Sequence, residues 1–322
     1  MNKIVGLRLL VVIFCIYISS SVFAFSPDIS NAIYNGDKVT SDTQFPFVVV
    51  IVSQISQDKG EMCTGSIVGK NWVLTAGHCV RMPFDPTSTS RALLSPDALF
   101  VGVGLDVKKP SQTAHFVHPK KIFPFSDKSD SGHDIALLQL ADATDIQPVA
   151  LPAYDDFPNL RTSQLPATAV GYGWIDDKPV PNDLVPTTEE SGDIHAPTKE
   201  GTIGHIDGYL HYGDEIIQDD QTVEKFAGII DDNERKAAED DMAGMLGVLS
   251  PDGKRMTDGD SGGPLLLAVT QKDNSKQYVQ IGVASWMLPK NLTSKEEYFS
   301  MYANLTNRDM LDFINNTMKN NP

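Results

Sequence analysis

Cysteine is scarce in this sequence. The 322 residues include three cysteines, too few for the disulfide-dense domains that small secreted proteins use in place of a core. Cys15 lies in an apolar N-terminal stretch, which leaves Cys63 and Cys79 for the rest of the chain. In an exported chain, two cysteines predict one disulfide. A bond that closes so short a loop contributes roughly 3 kcal/mol in the chain-entropy account.

Basic residues are also few. The chain has 26 Lys and Arg against 42 Asp and Glu, a formal net charge of −16. So acidic a chain is a poor partner for nucleic acid or an anionic membrane, and we predict neither. Most of the excess falls in residues 176–241, where 19 acidic residues stand against 5 basic ones. This pattern predicts an acidic insert at about 176–241, a solvated surface segment that aids solubility.

Apolar runs long enough to span a membrane are missing. The main candidate, residues 9–24, has 16 residues and includes three serines, whereas a spanning helix needs roughly 20 mainly apolar residues. Lys3 and Arg8 precede this run and Ala24 ends it, which favours a cleaved signal peptide at residues 1–24 over a membrane anchor. We therefore expect a secreted protein, extracellular or periplasmic, with no membrane contact after the signal is removed.

Short apolar runs separated by turn residues make up most of the remaining sequence. Residues 47–52, for example, are rich in β-branched side chains, and residues 278–284 repeat the pattern. Such runs favour an all-β fold, either a sandwich or a barrel. The end of the chain differs, because its apolar residues have helical spacing after Thr306, a candidate N-cap. We predict a C-terminal helix at about 306–318.

One segment carries a candidate nucleophile. Acyl transfer needs a hydroxyl, a base and hydrogen-bond donors for an oxyanion. The sequence Gly259-Asp260-Ser261-Gly262-Gly263-Pro264 supplies the hydroxyl of Ser261. It also supplies the N–H groups of Gly259 and Ser261 as a candidate oxyanion hole, because a glycine leaves its N–H open to a substrate. Taken alone, however, Gly-Asp-Ser-Gly is an ordinary turn.

A candidate base and a candidate orienting acid precede this segment. His78 adjoins Cys79, whose disulfide would hold the backbone of the base in place. Asp134 stands at the start of an apolar run, where a half-buried carboxylate can fix the histidine tautomer and stabilise the imidazolium. Each residue alone is more often structural. Together with Ser261, in the order His, Asp, Ser, they predict a catalytic triad.

The three motifs resemble those of the chymotrypsin/trypsin family of serine proteases, and the resemblance covers residues 33–316. It implies two six-stranded antiparallel β-barrels, at about 33–150 and about 151–305, with the active site between them. The motifs that carry it are Thr75-Ala76-Gly77-His78-Cys79, Asp134-Ile135-Ala136-Leu137 and the segment around Ser261. Further similar segments are Ile33-Tyr34-Asn35-Gly36, Gly171-Tyr172-Gly173, Ser285-Trp286 and Tyr302-Ala303-Asn304-Leu305.

The resemblance also implies a function. We expect a serine endopeptidase that hydrolyses peptide bonds through an acyl-enzyme intermediate and needs no cofactor. Its partners would be protein or peptide substrates and proteinaceous inhibitors. The alternative is a catalytically weak homologue that binds a partner through its acidic insert. His195, His205 and His211 lie among the acidic residues without a recognisable ligand spacing, so no metal site is predicted.

The expected substrate-binding residues depart from the family pattern. Ser285 and Trp286 resemble the edge strand that binds substrate, but Met287 follows where glycine is usual and would narrow the pocket mouth. Arg255 stands six residues before the nucleophile, where trypsin-like members have Asp. Facing the pocket, Arg255 would oppose a basic substrate side chain and favour an acidic one. In a longer loop it would point to solvent instead. Either way, we expect no preference for cleavage after Lys or Arg.

Synthesis as a zymogen is a further implication of the resemblance. Residues 25–32 would form a short propeptide, and cleavage between Ala32 and Ile33 would create a new N-terminus. In the family, that ammonium pairs with the Asp before the nucleophile, here Asp260, and orders the oxyanion hole. Because Ala32 is not basic, a trypsin-like activating enzyme is not implied.

Overall fold

Antiparallel strands make up most of the fold, and the all-β prediction is confirmed. The computed structural model describes residues 33–55, 60–82, 91–103, 115–126, 131–162, 164–173, 176–179, 197–199, 202–205, 209–227, 229, 231–289 and 298–322. In chain order the strands are β1 (Asp37–Lys38), β2 (Val48–Gln54), β3 (Gly60–Gly69), β4 (Trp72–Thr75), β5 (Leu99–Val103), β6 (His115–Val117), β7 (Pro119–Pro124), β8 (Ala136–Leu140), β9 (Pro166–Gly171), β10 (Asp176–Pro179), β11 (Pro197–Lys199), β12 (Thr202–His205), β13 (His211–Ile217), β14 (Met245–Leu249), β15 (Pro264–Thr270), β16 (Lys276–Pro289) and β17 (Tyr298–Asn304).

The N-terminal half forms one curved, seven-stranded sheet. Its order is β6-β5-β2-β3-β4-β8-β7, and its ladders are antiparallel. Residues in β4 and β8 are buried throughout, which explains why these strands read as continuous apolar runs. The sequence predicts a six-stranded barrel here. Among the described residues the sheet has seven strands, with β6 and β7 at its edges.

The C-terminal half contains a closed barrel of six strands. Its order is β13-β14-β17-β16-β15-β9, and β13 also pairs with β9, which closes the ring. The short strand β1 adds to the outside of β13. Strand β13 falls inside the predicted acidic insert, yet its alternate residues are buried in the barrel wall. The insert interpretation therefore does not apply to residues 211–217. Strands β10, β12 and β11 form a separate three-stranded sheet.

Three α-helices complete the described fold: α1 (Asp220–Phe226), α2 (Asp232–Ala243) and α3 (Arg308–Asn320). The C-terminal helix was expected to start near Thr306, but Asn307 is its N-cap, and its Oδ1 accepts hydrogen bonds from the N–H groups of Asp309 and Met310. Thr306 instead donates its hydroxyl to Asn304 Oδ1. None of the helices in the described ranges has both the length and the apolar character that crossing a membrane requires.

The two halves meet at Thr64, on strand β3. Its N–H donates to Ser261 O at 2.8 Å and its hydroxyl donates to Gly259 O at 2.8 Å. The same hydroxyl accepts from Tyr172 N at 3.0 Å. Because Thr64 is fully buried, these bonds are shielded from water and hold the nucleophile segment against the first sheet. The segment around Ser261 therefore lies at the junction between the halves.

Candidate active site

Strand pairing brings His78 and Asp134 together. In the ladder between β4 and β8, Thr75 lies opposite Ala136. His78 follows β4 by three residues, in a 3-10 turn, and Asp134 precedes β8 by two. Because the strands are antiparallel, both residues leave the sheet at the same end. Residues 56 positions apart in sequence thus become neighbours.

Three hydrogen bonds hold the carboxylate of Asp134. His78 Nδ1 lies 2.6 Å from Asp134 Oδ2, and the backbone N–H of His78 donates to Oδ1 at 2.8 Å. The Ser285 hydroxyl donates to Oδ2 at 2.6 Å. With Nδ1 committed to Asp134, the proton on the imidazole is fixed there and Nε2 is left as the basic atom of the ring. This is the tautomer that a general base requires.

The pair shifts the pKa values of both residues toward their charged forms. Burial disfavours the imidazolium of His78, but the charge of Asp134 and its hydrogen bond outweigh burial and raise the pKa of His78. Burial likewise disfavours the Asp134 carboxylate, yet the imidazolium and the hydrogen bonds from His78 and Ser285 lower its pKa. The exposed fraction of the side chain is 25% for His78 and 6% for Asp134, so solvent reaches the base but hardly reaches the acid.

The backbone of Ser261 approaches this pair through Cys79. Cys79 Sγ is 3.7 Å from His78 Nε2 and 3.6 Å from Ser261 O, so the basic nitrogen and the nucleophile segment approach the same sulfur atom. The turn that carries Ser261 requires a glycine at 262, where φ is +84°. A Cβ at this position would overlap Thr75 Oγ1 and Thr64 O. The turn can therefore press against β3 and β4 only when residue 262 has no side chain.

A disulfide joins Cys63 and Cys79, as the cysteine count predicts. It links strand β3 to the turn that carries His78. The two sulfur atoms and the His78 ring lie within 4.8 Å of one another, a spacing that suits a metal ion. However, both sulfurs are consumed in the S–S bond, and metal binding by cysteine needs a free thiolate. The cluster thus serves to brace His78.

Asp260, next to the candidate nucleophile Ser261, is 1% exposed. Its Oδ1 accepts from Gly173 N at 2.8 Å, and its Oδ2 accepts from Thr257 N at 2.8 Å and Thr257 Oγ1 at 2.9 Å. Even so, burial raises the pKa of Asp260 to about 6. The neutral donors and the charge of His211 both lower this pKa, but burial outweighs them.

Ile33, the predicted new N-terminus, is buried against the second barrel. A Cβ at Gly213 would lie 2.9 Å from Ile33 Cγ2, which places the isoleucine on the inner face of β13. The next residue, Tyr34, donates its N–H to Arg255 O at 2.7 Å. The propeptide at 25–32 and the signal peptide lie outside the described residues, so the cleavage before Ile33 stays a prediction.

The predicted substrate-binding residues lie in different surroundings. Ser285 is buried and bonded to Asp134, whereas Trp286 is 37% exposed. Met287 pairs with Ser300 in the ladder between β16 and β17. The guanidinium of Arg255 lies over the ring of Tyr34, 3.7 Å from its centroid, an attractive cation–π arrangement. Arg255 is thus directed at the N-terminal segment, and its part in substrate binding stays a prediction.

Two features of the site were not predicted from the sequence. One is the hydrogen bond that Ser285 donates to Asp134. The other is Glu215, which is 1% exposed in the second barrel and has one hydrogen bond, from Ser300 Oγ to its Oε1 at 3.4 Å. Its Oε2 has no partner among the described residues, and burial raises its pKa well above the ordinary value. The signal was the alternation along β13, where every second residue faces inward. Of the three histidines weighed as metal ligands, His211 is buried on this strand.

Comparison with known proteins agrees with the geometry. The family model described as "Trypsin" matches residues 33–203 of the chain. Mannan-binding lectin serine protease 1 of Rattus norvegicus is 25% identical over 246 residues, 73% of this chain and 29% of that protein. The cercarial protease of Schistosoma mansoni is 30% identical over 169 residues, 50% and 58% of the two chains. Kallikrein-8 of Homo sapiens is 25% identical over 231 residues, 70% and 66%. The chain thus spans less than a third of the length of the lectin-associated protease.

Proposed function

Since the chain belongs to the trypsin family, we propose that it is a secreted serine endopeptidase with Ser261, His78 and Asp134 as its catalytic triad. The observation that carries the proposal is the arrangement around Asp134. A buried carboxylate bonded to Nδ1 of a partly exposed histidine, beside a serine on a tight glycine turn, is what nucleophilic acyl transfer requires.

Each group has one role in the proposed reaction. Ser261 Oγ attacks the carbonyl carbon of the scissile peptide bond while His78 Nε2 takes its proton. The N–H groups of Gly259 and Ser261 hold the oxyanion that forms. His78 then returns the proton to the leaving amine, and the C–N bond breaks to give an acyl-enzyme. Water attacks this ester with His78 again as base, which releases the carboxylic acid and restores the Ser261 hydroxyl.

Activation by cleavage before Ile33 is part of the proposal. The environment of Asp260 supports it, because this buried carboxyl has neutral donors and a raised pKa. An ammonium group arriving from Ile33 would stabilise the ionised form of Asp260 and fix the segment that carries the oxyanion hole. Ile33 is already buried on the inner face of β13, so the side chain of the new terminus has a site to occupy.

The proposed partners are protein or peptide substrates and proteinaceous inhibitors. We propose no cofactor, because the triad and the backbone donors complete the reaction. The acidic balance argues against nucleic acid and against a membrane surface.

The experiment measures hydrolysis of a diverse peptide library by the chain that begins at Ile33. The same chain with Ser261→Ala is measured beside it. We expect the wild-type chain to cleave peptides and the variant to lose about 10⁴-fold or more in rate while keeping its fold, because Oγ supplies the covalent step. Circular dichroism of the variant is the control for folding. A variant that keeps most of the activity would refute the proposed mechanism. A wild-type chain that cleaves nothing would favour the partner-binding alternative.

A further inference from the structure

Gly244 lies where the acidic segment rejoins the second barrel. It follows helix α2 (Asp232–Ala243) directly and precedes strand β14. It is buried, and its Cα packs on the peptide group of Gly132. A Cβ at residue 244 would overlap the Gly132 carbonyl oxygen and would lie 2.7 Å from its carbon and 3.3 Å from its Cα. No residue other than glycine can make so close a backbone contact without a shift.

The other side of this contact is the turn that presents Asp134. Gly132 is the middle residue of a 3-10 turn, Ser131–His133, which ends at the residue before Asp134. On its far side, the His133 ring stacks on Phe125 with 5.0 Å between centroids. At its end, the carbonyl oxygen of His133 accepts from Ile135 N at 2.9 Å. The turn is therefore held between Phe125 and Gly244.

Gly244 cannot easily move away from the turn. Its carbonyl oxygen accepts from Asn304 N at 2.8 Å, and the carbonyl oxygen of Ala243 accepts from Asn304 Nδ2 at 3.5 Å. The next residue, Met245, pairs with Ala303 in the ladder between β14 and β17. These bonds fix Gly244 to the wall of a closed barrel. A side chain added at 244 would consequently displace the 131–133 turn more easily than the barrel.

We infer that Gly244 is a positioning residue for catalysis, which holds the 131–133 turn so that Asp134 stays within hydrogen-bond distance of His78. The inference rests on the proposed function, because it assigns a rate effect to a contact outside the triad. The contact between Gly244 and Gly132 also links the end of the acidic segment to the turn that carries Asp134. Catalytic groups tolerate little displacement, so a shift of the turn lengthens the bond between Asp134 and His78 and weakens the base.

The test is Gly244→Ala, with Gly247→Ala as its matched control. Gly247 lies three residues on, in strand β14, but a Cβ there would meet Val223 Cγ2 of helix α1 at 2.6 Å instead of the Asp134 turn. Gly244→Ala would crowd a backbone group, whereas Gly247→Ala would crowd a side chain, so the melting temperature of each variant is measured beside its kcat. We expect kcat to fall by about 10- to 100-fold in Gly244→Ala with KM within about twofold. We expect Gly247→Ala to retain kcat within about threefold, even if its melting temperature falls as far as that of Gly244→Ala.

A second readout separates positioning from general damage. Asp134 raises the pKa of His78, so a lengthened bond should move the acidic limb of the pH profile of kcat/KM to lower pH in Gly244→Ala. The downfield ¹H resonance of the proton between His78 Nδ1 and Asp134 should shift or broaden in the same variant. Neither should change in Gly247→Ala.

If Gly244→Ala does not fold, Asn304→Ala gives a milder version of the test. It removes the side-chain bond to Ala243 O and the two bonds that Asn304 Oδ1 accepts from the backbone N–H and the hydroxyl of Thr306. Thr306→Ala removes the hydroxyl bond alone and is the control for loss of contacts at this turn. We expect a kcat loss in Asn304→Ala that Thr306→Ala lacks. Equal kcat losses in each pair, or an unchanged pH profile and resonance, would overturn the inference. Absence of peptide hydrolysis by the wild-type chain would instead count against the proposed function.

Discussion

Two regions of this protein bury carboxyl groups in opposite ways. At the junction between the halves, Asp134 has three hydrogen bonds and a histidine that can carry a positive charge, and its pKa is lowered. Inside the second barrel, Glu215 has one long hydrogen bond and its pKa is raised. Asp260 stands between them, since burial raises its pKa to about 6 although three neutral donors and the charge of His211 oppose the rise. Of the three carboxyl groups, the one whose pKa is lowered is therefore Asp134, which is bonded directly to a group that can carry a positive charge.

The largest expected effect comes from removing the charge of Asp134. Asp134→Asn keeps the shape of the side chain but cannot hold the His78 proton on Nδ1 as a carboxylate does. We expect kcat to fall about 10⁴-fold, because the imidazole takes the wrong tautomer and its charged form loses its counter-ion. Steady-state kinetics on a cleaved peptide measure the loss. Asp142→Asn, at an exposed position, is the control, and a loss of less than tenfold in Asp134→Asn would show that the charge is not required.

The second prediction concerns Asp260 before activation. Its pKa in the folded chain is about 6 against an ordinary 3.8, so its contribution to stability is full below pH 4 and is lost as the pH rises through 6. The free energy of unfolding should fall by about 3 kcal/mol over this window. Urea denaturation in a Ser261→Ala background measures it, since that background cannot digest itself.

Two comparisons sharpen this second prediction. Asp260→Asn should reduce the dependence on pH and leave the part that is due to Glu215, and cleavage before Ile33 should reduce it because the ammonium would then pair with the carboxylate. An uncleaved chain whose stability is flat between pH 4 and pH 7, or an Asp260→Asn variant that falls as steeply as the wild type, would show that Asp260 does not titrate in this window.

Glu215 provides a third and smaller effect. Its raised pKa means that its contribution to stability is present below its ordinary pKa of 4.5 and is lost as the pH rises toward the folded value. Glu215→Gln resembles the protonated side chain at every pH. We expect it to match the wild type near pH 5 and to be more stable near pH 8 by about 1 to 2 kcal/mol. Thermal denaturation at both pH values is the measurement, and equal stability at pH 8 would mean that Glu215 is ionised at no cost.

Ser285→Ala should give the smallest effect. It removes one of the three hydrogen bonds to Asp134 and leaves both bonds from His78. A hydrogen bond to a charged group contributes about 1.5 to 3 kcal/mol, and only part of that reaches the rate. We expect kcat to fall about 3- to 30-fold, with little change in KM. A loss as large as that of Asp134→Asn would mean that Ser285 does more than hold the carboxylate.

The three residues of the proposed triad could be identified from the sequence because each lies in a contiguous motif. Gly259 to Pro264, His78 with Cys79, and Asp134 before an apolar run are all visible within a few residues. The contacts that hold them are not visible in this way. Ser285 and Asp134 are 151 residues apart, and Gly244 meets Gly132 across a similar gap. Such pairs arise from strand order and register, which local patterns do not encode.

Charge averaging explains why strand β13 was not predicted. Residues 176–241 are acidic taken together, so the whole stretch was interpreted as a solvated insert. Within it, β13 alternates inward and outward residues, and one of the acidic residues, Glu215, faces into the barrel. Alternate residues of this stretch could have indicated a strand with one buried face. However, buried carboxyl groups are rare, so the acidic composition favoured a solvated segment instead.

Reaction with a fluorophosphonate tests the central claim most directly, because the reagent phosphonylates a serine only where a base and an oxyanion hole activate it. The chain that begins at Ile33 would be labelled, digested and mapped by mass spectrometry, beside Ser261→Ala and Asp134→Asn. The account predicts one label per chain, on Ser261, absent in the first variant and formed far more slowly in the second. A chain that stays unlabelled, or whose label lies on another serine, would contradict the assignment of Ser261, His78 and Asp134 as a working triad.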